Sequence, residues 1–234
     1  MENNGIRINK FLSQAGVVSR REAEIKIKQN KVKINGKNAI LGQRVLPNDV
    51  VEYENQVIQI NTNKKYYLLN KPKKTICTLK DNFDRQLVTD LINDSDYSFP
   101  VGRLDYDTTG VLLITNDGEL ANKLIHPSSQ IKRIYRARIN EPLSKEEFMF
   151  LNSNKVIVNN KISKQIVDQV ENKSYLITIC EGSYHHIKKL FELVNKNVLD
   201  LKRIEFAGLN VEGLMLGQYR KLKPIEIKKL KALV

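Results

Sequence analysis

The apolar positions near the N-terminus follow two different periods. Ile8, Phe11, Leu12 and Ala15 recur three and four apart, as one face of a helix does, and Gly16 ends the run. Ser19-Arg20-Arg21-Glu22 then reads as a capping box: the serine accepts from the third helical amide while Glu22 reaches back to the Ser19 amide. Ala23 and Ile27 form the buried stripe of the helix behind it. Next the period drops to two. Val32 and Ile34 alternate with Lys31 and Lys33, and Asn35-Gly36 is the pair that a type I′ hairpin turn favours. Pro47-Asn48-Asp49 marks a turn before Val50-Val51-Glu52-Tyr53. The polar stretch Asn61-Thr62-Asn63-Lys64 reads as a linker, so a small module over 1–60 and a larger domain over 65–234 are expected.

Beyond the linker the pattern changes. Tyr67-Leu68-Leu69 is a short strand stopped by Asn70-Lys71-Pro72, and Val111-Leu112-Leu113-Ile114 is a continuous apolar run suited to a strand buried on both faces. A helix is predicted around Glu119 to Leu124 and a half-exposed strand over Ile134 to Ile139. A second capping box over Ser144 to Glu147 opens a helix through Phe148. Tyr175 to Cys180 reads as a strand and Tyr184 to Val194 as a helix, with Tyr184, Ile187, Leu190 and Phe191 as its core face. Strands and helices mix without a regular βαβ rhythm, so the class is α+β with a mixed, largely antiparallel sheet.

Composition narrows the partners. The 234 residues carry 39 Lys and Arg against 26 Asp and Glu, a net charge of +13. Such an excess suits a polyanion, because each cation laid on a phosphate releases condensed counterions. The competing explanation is the Lys and Asn bias of an AT-rich genome. Cys77 and Cys180 stand far apart without a CxxC partner, and with three histidines in all a zinc site is not expected. Both cysteines read as small buried hydrophobes. No glycine-rich nucleotide loop occurs. The N-terminus has no signal-peptide pattern and no apolar run is long enough to span a membrane, so a cytoplasmic protein is expected.

Arg7, Lys10, Arg20, Arg21, Lys26, Lys28, Lys31 and Lys33 crowd into the small module. Arg20 and Arg21 fall in a first helical turn, where the macrodipole disfavours cations and where a phosphate is welcome. A merely solvated charged face is the alternative. In the centre, Gly102-Arg103-Leu104-Asp105 sets a carboxylate in a loop entering a buried strand, with a cation two residues earlier. Asp107 and Asp117 compete for any role there, and spacing alone leaves the choice open.

The segment from Ile8 to Lys37 also resembles the αL RNA-binding motif first known from a ribosomal small-subunit protein, the S-four type. The run Pro100-Val101-Gly102-Arg103-Leu104-Asp105-Tyr106-Asp107-Thr108-Thr109-Gly110 and its continuation to Leu120 resembles the signature of the ribosomal pseudouridine synthases of the RsuA/RluB group. Leu69-Asn70-Lys71-Pro72 with Cys77-Thr78, Lys132-Arg133-Ile134-Tyr135, and Glu181 through Phe191 resemble further motifs of that family, in the family's order. The resemblance implies an aspartate nucleophile at Asp105, a base-packing tyrosine at Tyr135 and a basic partner of the aspartate at Lys188. It places Arg103 at the loop or the flipped nucleotide. Arg7, Lys10, Arg20, Arg21, Lys31 and Lys33 become candidate RNA contacts. His185 and His186 are not chemical positions in the family.

The implied reaction isomerises a uridine to its C-glycoside without cofactor or metal. The implied partner is ribosomal RNA, free or within a pre-ribosomal particle, met by a monomer with no membrane association. Asp81-Asn82-Phe83-Asp84-Arg85 and Leu201-Lys202-Arg203-Ile204 resemble the large-subunit branch, which is the expectation adopted. Tyr184-His185-His186-Ile187-Lys188-Lys189 lies closer to the small-subunit branch, the alternative. A synthase acting on tRNA or mRNA, and a non-catalytic RNA-binding assembly factor, are the other readings. Lys188 is expected within ion-pairing distance of Asp105, with Tyr135 across a pocket sized for one base.

Overall fold

The structure, a computed structural model, describes residues 5–94 and 97–234. The chain divides into two compact units, the smaller running to Lys65 and taking in short returns at 94–98 and 116–118, the larger containing the remainder.

In the smaller unit, α1 (Ile8–Gln14) and α2 (Arg20–Lys28) lie where the periodicity puts them. Only the serine half of the first capping box forms among the described residues: Ser19 Oγ accepts from the Glu22 amide at 3.2 Å. Four short strands follow, in the order Lys37–Asn38, Val32–Ile34, Val51–Tyr53 and Gln56–Ile58. Asn35 and Gly36 have φ of 51° and 76°, the left-handed pair that a type I′ turn requires. Ile8, Leu12, Ala23, Ile27, Val32 and Ile34 meet in one small core. A two-stranded pairing of Ile6–Arg7 with Arg44–Val45 is an addition to the sequence reading.

The larger unit is built on one sheet. Its strands are β1 (Tyr66–Lys71), β2 (Thr109–Thr115), β3 (Arg133–Ile139), β4 (Gln165–Glu171), β5 (Ser174–Ile179), β6 (Val198–Phe206) and β7 (Tyr219–Lys221). They lie in the order β4-β5-β3-β6-β2-β1-β7, with the short Phe99–Pro100 strand also paired to β2. Every pairing along this path is antiparallel except β6 with β2, a parallel contact of two residue pairs, Lys202 with Thr109 and Arg203 with Gly110. The class is therefore α+β on a mixed, largely antiparallel sheet, as the sequence indicates.

Alternation along β1 and β2 feeds two cores. Tyr67, Leu69, Leu112 and Ile114 enter one cluster with Leu151 of α4 (Lys145–Leu151) and with Leu190 and Phe191 of α5 (His186–Glu192). Tyr66, Leu68, Val111 and Leu113 enter another with Leu120 and Leu124 of α3 (Gly118–Ile125) and Leu230 of α6 (Pro224–Ala232). Both strands are thus buried on both faces, which is why they read as unbroken apolar runs. The capping box of α4 forms in full. α5 begins later than the sequence suggests, because His185 takes a left-handed φ of 54° that cannot propagate a helix. Tyr184 accordingly leaves the core face and is 65% exposed, whereas Ile187, Leu190 and Phe191 are buried.

Gly110 marks the tightest approach in the sheet. Its φ is 105°, and a Cβ built there would meet the Arg203 carbonyl oxygen at 2.1 Å, so only glycine admits the β2–β6 contact. Gly110→Ala is expected to lower stability by on the order of 3 kcal/mol. Denaturant titration checks this, as a fall in midpoint at unchanged m-value.

Candidate active site

The loop between Phe99–Pro100 and β2 carries Asp105, and its anchor is β1. Lys71, wholly buried, donates from Nζ to the carbonyls of Pro72 (3.0 Å), Asp105 (3.1 Å), Tyr106 (3.4 Å) and Thr108 (3.0 Å). An ammonium out of water needs such acceptors, and here they come from both sides of the loop mouth. Burial pushes Lys71 below the usual lysine range, while Cys77, Asp105 and Asp107 pull it back. The Leu104 amide donates to Cys77 Sγ at 3.4 Å, and the Thr108 amide to the Asp105 carbonyl at 3.1 Å. Burial raises the Cys77 thiol above its ordinary value, against Lys71, Arg203 and Arg103. The backbone of Asp105 is thereby fixed while its carboxylate remains half-buried.

Asp105 opens on a cavity of about 1340 Å³, larger than the roughly 300–1,000 Å³ of ordinary small-molecule clefts. The space is wider than the pocket for one base expected from the sequence. Tyr135, 8% exposed, and Arg203 line it from adjacent strands, where they stand directly opposite in register. Directly opposed residues share a sheet face, so the two side chains form one floor. The β3–β6 register breaks between Ile134 and Tyr135. Arg103 is exposed and also lines the cavity. A smaller depression of about 400 Å³ lined by Phe148, Met149 and Ile166 has Asp168 as its one titratable side chain and no chemistry of its own.

The basic residue beside Asp105 differs from the expectation. Lys188 is half-buried, makes no ion pair with Asp105 and does not line the cavity. Lys189, the neighbour on the same helix, donates to Asn159 Oδ1 instead. His185 is the residue brought up, with Nε2 3.9 Å from Asp105 Oδ1 and its ring stacked on Tyr184 at 3.9 Å. The left-handed backbone that delays α5 turns this histidine toward the loop, a conformation that no spacing in Tyr184-His185-His186 announces. His186 is held apart by Ser163 and Ser183, and its burial pushes it below the usual histidine range. Cys180, half-buried, accepts from Arg133 through its carbonyl.

In the smaller unit Arg7, Arg20, Arg21 and Lys31 are exposed and, among the described residues, have no carboxylate in ion-pair range. Lys10 is half-buried, and Lys33 donates to Asn55 Oδ1 at 3.1 Å. Among the described residues no group of His, Cys, Asp and Glu side chains is placed to hold a metal, and no helix is long and apolar enough to cross a membrane.

Lys71→Met keeps the stem but strands four carbonyls around an apolar tip. A loss of on the order of 3 kcal/mol is expected, with no rescue by Lys71→Arg, whose planar fork does not fit a cage built for a point charge. Chemical denaturation of both variants checks this.

Known proteins share this architecture. The family described as RNA pseudouridylate synthase matches residues 65–193, and the S4 domain matches residues 6–51. The Ribosomal large subunit pseudouridine synthase B of Bacillus subtilis (strain 168) is 39% identical over 235 residues, covering 97% of this chain and 96% of its own length. The Dual-specificity RNA pseudouridine synthase RluF of Escherichia coli (strain K12) is 31% identical, covering 97% of this chain and 79% of its own. A solved structure, "Crystal structure of pseudouridylate synthase", superposes with a TM-score of 0.71 at 26% identity, covering 96% of this chain and 99% of that one. The chain therefore belongs to the RNA pseudouridylate synthase family, as an enzyme that joins an S4 domain to a pseudouridine synthase fold.

Proposed function

We propose that this protein isomerises a uridine of large-subunit ribosomal RNA to pseudouridine, with Asp105 as nucleophile and Tyr135 as the ring against which the target base packs. The observation that carries the reading is the carboxylate and the tyrosine on one cavity, in a chain 39% identical over nearly its whole length to an enzyme named for the large subunit. A base in a duplex cannot be rearranged in place, so it must leave the stack and be held on a π-face. The N1–C1′ bond breaks, the uracil turns while held, and C5 joins C1′. C5 gives up a proton and N1 gains one, so atoms and electrons balance without a redox partner. A carboxylate nucleophile divides this exchange into two easier steps. His185 stands beside Asp105, and Lys188, on the helix behind it, is the second basic residue to test.

The module over 1–60 is proposed to carry RNA, with Arg7, Lys10, Arg20, Arg21, Lys31 and Lys33 on phosphates and Arg103 at the cavity of the domain over 65–234. The unpaired arginines in the first turn of α2 support this, since a helix N-terminus there favours an anion rather than a cation.

Pseudouridine mapping across total RNA from cells with and without the gene tests the function. A site lost from large-subunit RNA alone is the expected result. A loss confined to small-subunit RNA or tRNA overturns the substrate, and no loss anywhere favours a binding factor. Asp105→Asn is expected to abolish the product while leaving RNA affinity and the melting temperature nearly unchanged. Asp107→Asn and Asp117→Asn, measured by the same product assay, are expected to retain turnover.

The double substitution Arg20→Gln with Arg21→Gln is expected to flatten the salt dependence of binding to a ribosomal RNA transcript. The log–log slope should fall by about 0.7 per lost contact on single-stranded RNA. Filter binding across a salt series reads it, and an unchanged slope would leave that face merely solvated.

A further inference from the structure

Among the described residues Arg203 has no counter-ion. Its side chain is 2% exposed, its Nε donates to the Val111 carbonyl at 2.8 Å, and its Nη2 is buried with no hydrogen-bond partner among them. None of their carboxylates forms an ion pair with it, although Arg85, Arg136 and Arg220 each have one. The guanidinium lies 4.9 Å from the Phe206 ring centroid, and a half-buried arginine, Arg133, is close enough to repel it. A guanidinium carries donors only. Leaving one of them dry and unmet is among the costlier defects a fold can keep, and costlier still for a charged group. Two features retain it here: Gly110, the one residue type that admits the Arg203 backbone against β2, and the register of β6, which sets Arg203 opposite Tyr135 on the cavity floor.

We propose that Arg203 binds substrate, its free Nη edge donating to a carbonyl oxygen of the uracil held against Tyr135; this rests on the functional reading above. Uracil presents two acceptor oxygens, O2 and O4, to a donor-only partner. As the glycosidic bond breaks, electron density moves onto the ring and those oxygens become stronger acceptors. A donor fixed in a dry site is then worth more in the transition state than in the ground state. A phosphate is the poorer occupant, because a flipped nucleotide turns about its backbone and leaves its phosphates at the mouth, where Arg103 is exposed. Asp105 is the poorer partner too, since the basic side chain beside its carboxylate is His185, at 3.9 Å, and not Arg203.

Sulfur accepts hydrogen bonds weakly, which provides the test. Ribosomal RNA transcripts of both subunits are made with uridine, 2-thiouridine or 4-thiouridine throughout and given to wild type and to Arg203→Met in single-turnover assays. Wild type is expected to slow on one thio-RNA. Arg203→Met is expected to be slower by on the order of 10²–10³-fold on the oxygen RNA and to show little further loss on that thio-RNA. Comparing the two proteins on one RNA cancels any effect of sulfur on RNA folding. Losses that multiply independently at both positions overturn the proposal, as does a defect in Arg203→Met that disappears on raising the pH, which would place its action on Asp105. Wild type alone guards against a misfolded variant: if neither sulfur slows it, no donor reads a uracil oxygen and the proposal falls. Should wild type make no pseudouridine in any transcript, the functional reading fails and this one with it. Product with independent losses sinks this one alone.

Discussion

The ammonium of Lys71 ends a strand buried on both faces, beyond the reach of water, and must find every acceptor within the protein. It finds them in the carbonyls of Pro72, Asp105, Tyr106 and Thr108. The loop that carries Asp105 is therefore held over the sheet by a buried charge as well as by the apolar anchors Val101 and Leu104. Tyr106 and Asp107, at the loop's crest, remain exposed, and only the backbone beneath them is tied. A functional loop usually lies at the low-stability end of a fold. This one is fastened at the level of its carbonyls, so its side chains stay free to meet a substrate.

Two kinds of positive charge serve the molecule. Arg7, Arg20, Arg21 and Lys31 are exposed, where salt screens them and where they suit a mobile polyanion. Lys71 and Arg203 are buried in the larger unit, where screening fails and each charge must be answered by a fixed acceptor or by a ligand. The formal charge of +13 conceals this difference, because it counts both kinds alike.

Much of the fold could be read from spacing. Asn35-Gly36 announced its hairpin, Ser144 to Glu147 announced α4, and the run from Val111 to Ile114 announced a strand without a solvent face. β6 escaped because Val198-Leu199-Asp200-Leu201-Lys202-Arg203 mixes charges into both faces. Its one wholly buried charge, Arg203, contradicts the rule by which buried strands are recognised; its motif was noted only as a mark of a family branch. β4 and α6, with weak apolar patterns and many exposed positions, escaped for a related reason. In the site, Asp105 and Tyr135 came from motif resemblance rather than from periodicity, and both reach the cavity. His185 was set aside because the resembling family has no chemical role at that position; its approach to Asp105 depends on one left-handed φ, which no local pattern encodes at a histidine. Lys188 was carried over by motif alone, and its side chain lies on α5 outside the cavity that Asp105 lines.

The parallel contact between β6 and β2 is two residue pairs long, and it joins two otherwise antiparallel blocks of sheet. Asp105 belongs to the block made early in the chain, whereas Arg203 belongs to the other and is made almost a hundred residues later, since 98 positions separate them. Synthesis runs from the N-terminus, and units tend to fold as they emerge. A growing chain thus completes its smaller unit well before the strand that carries Arg203. The cavity wall that Tyr135 and Arg203 share is among the last parts of the sheet to be made, so a chain cut short before residue 198 lacks it.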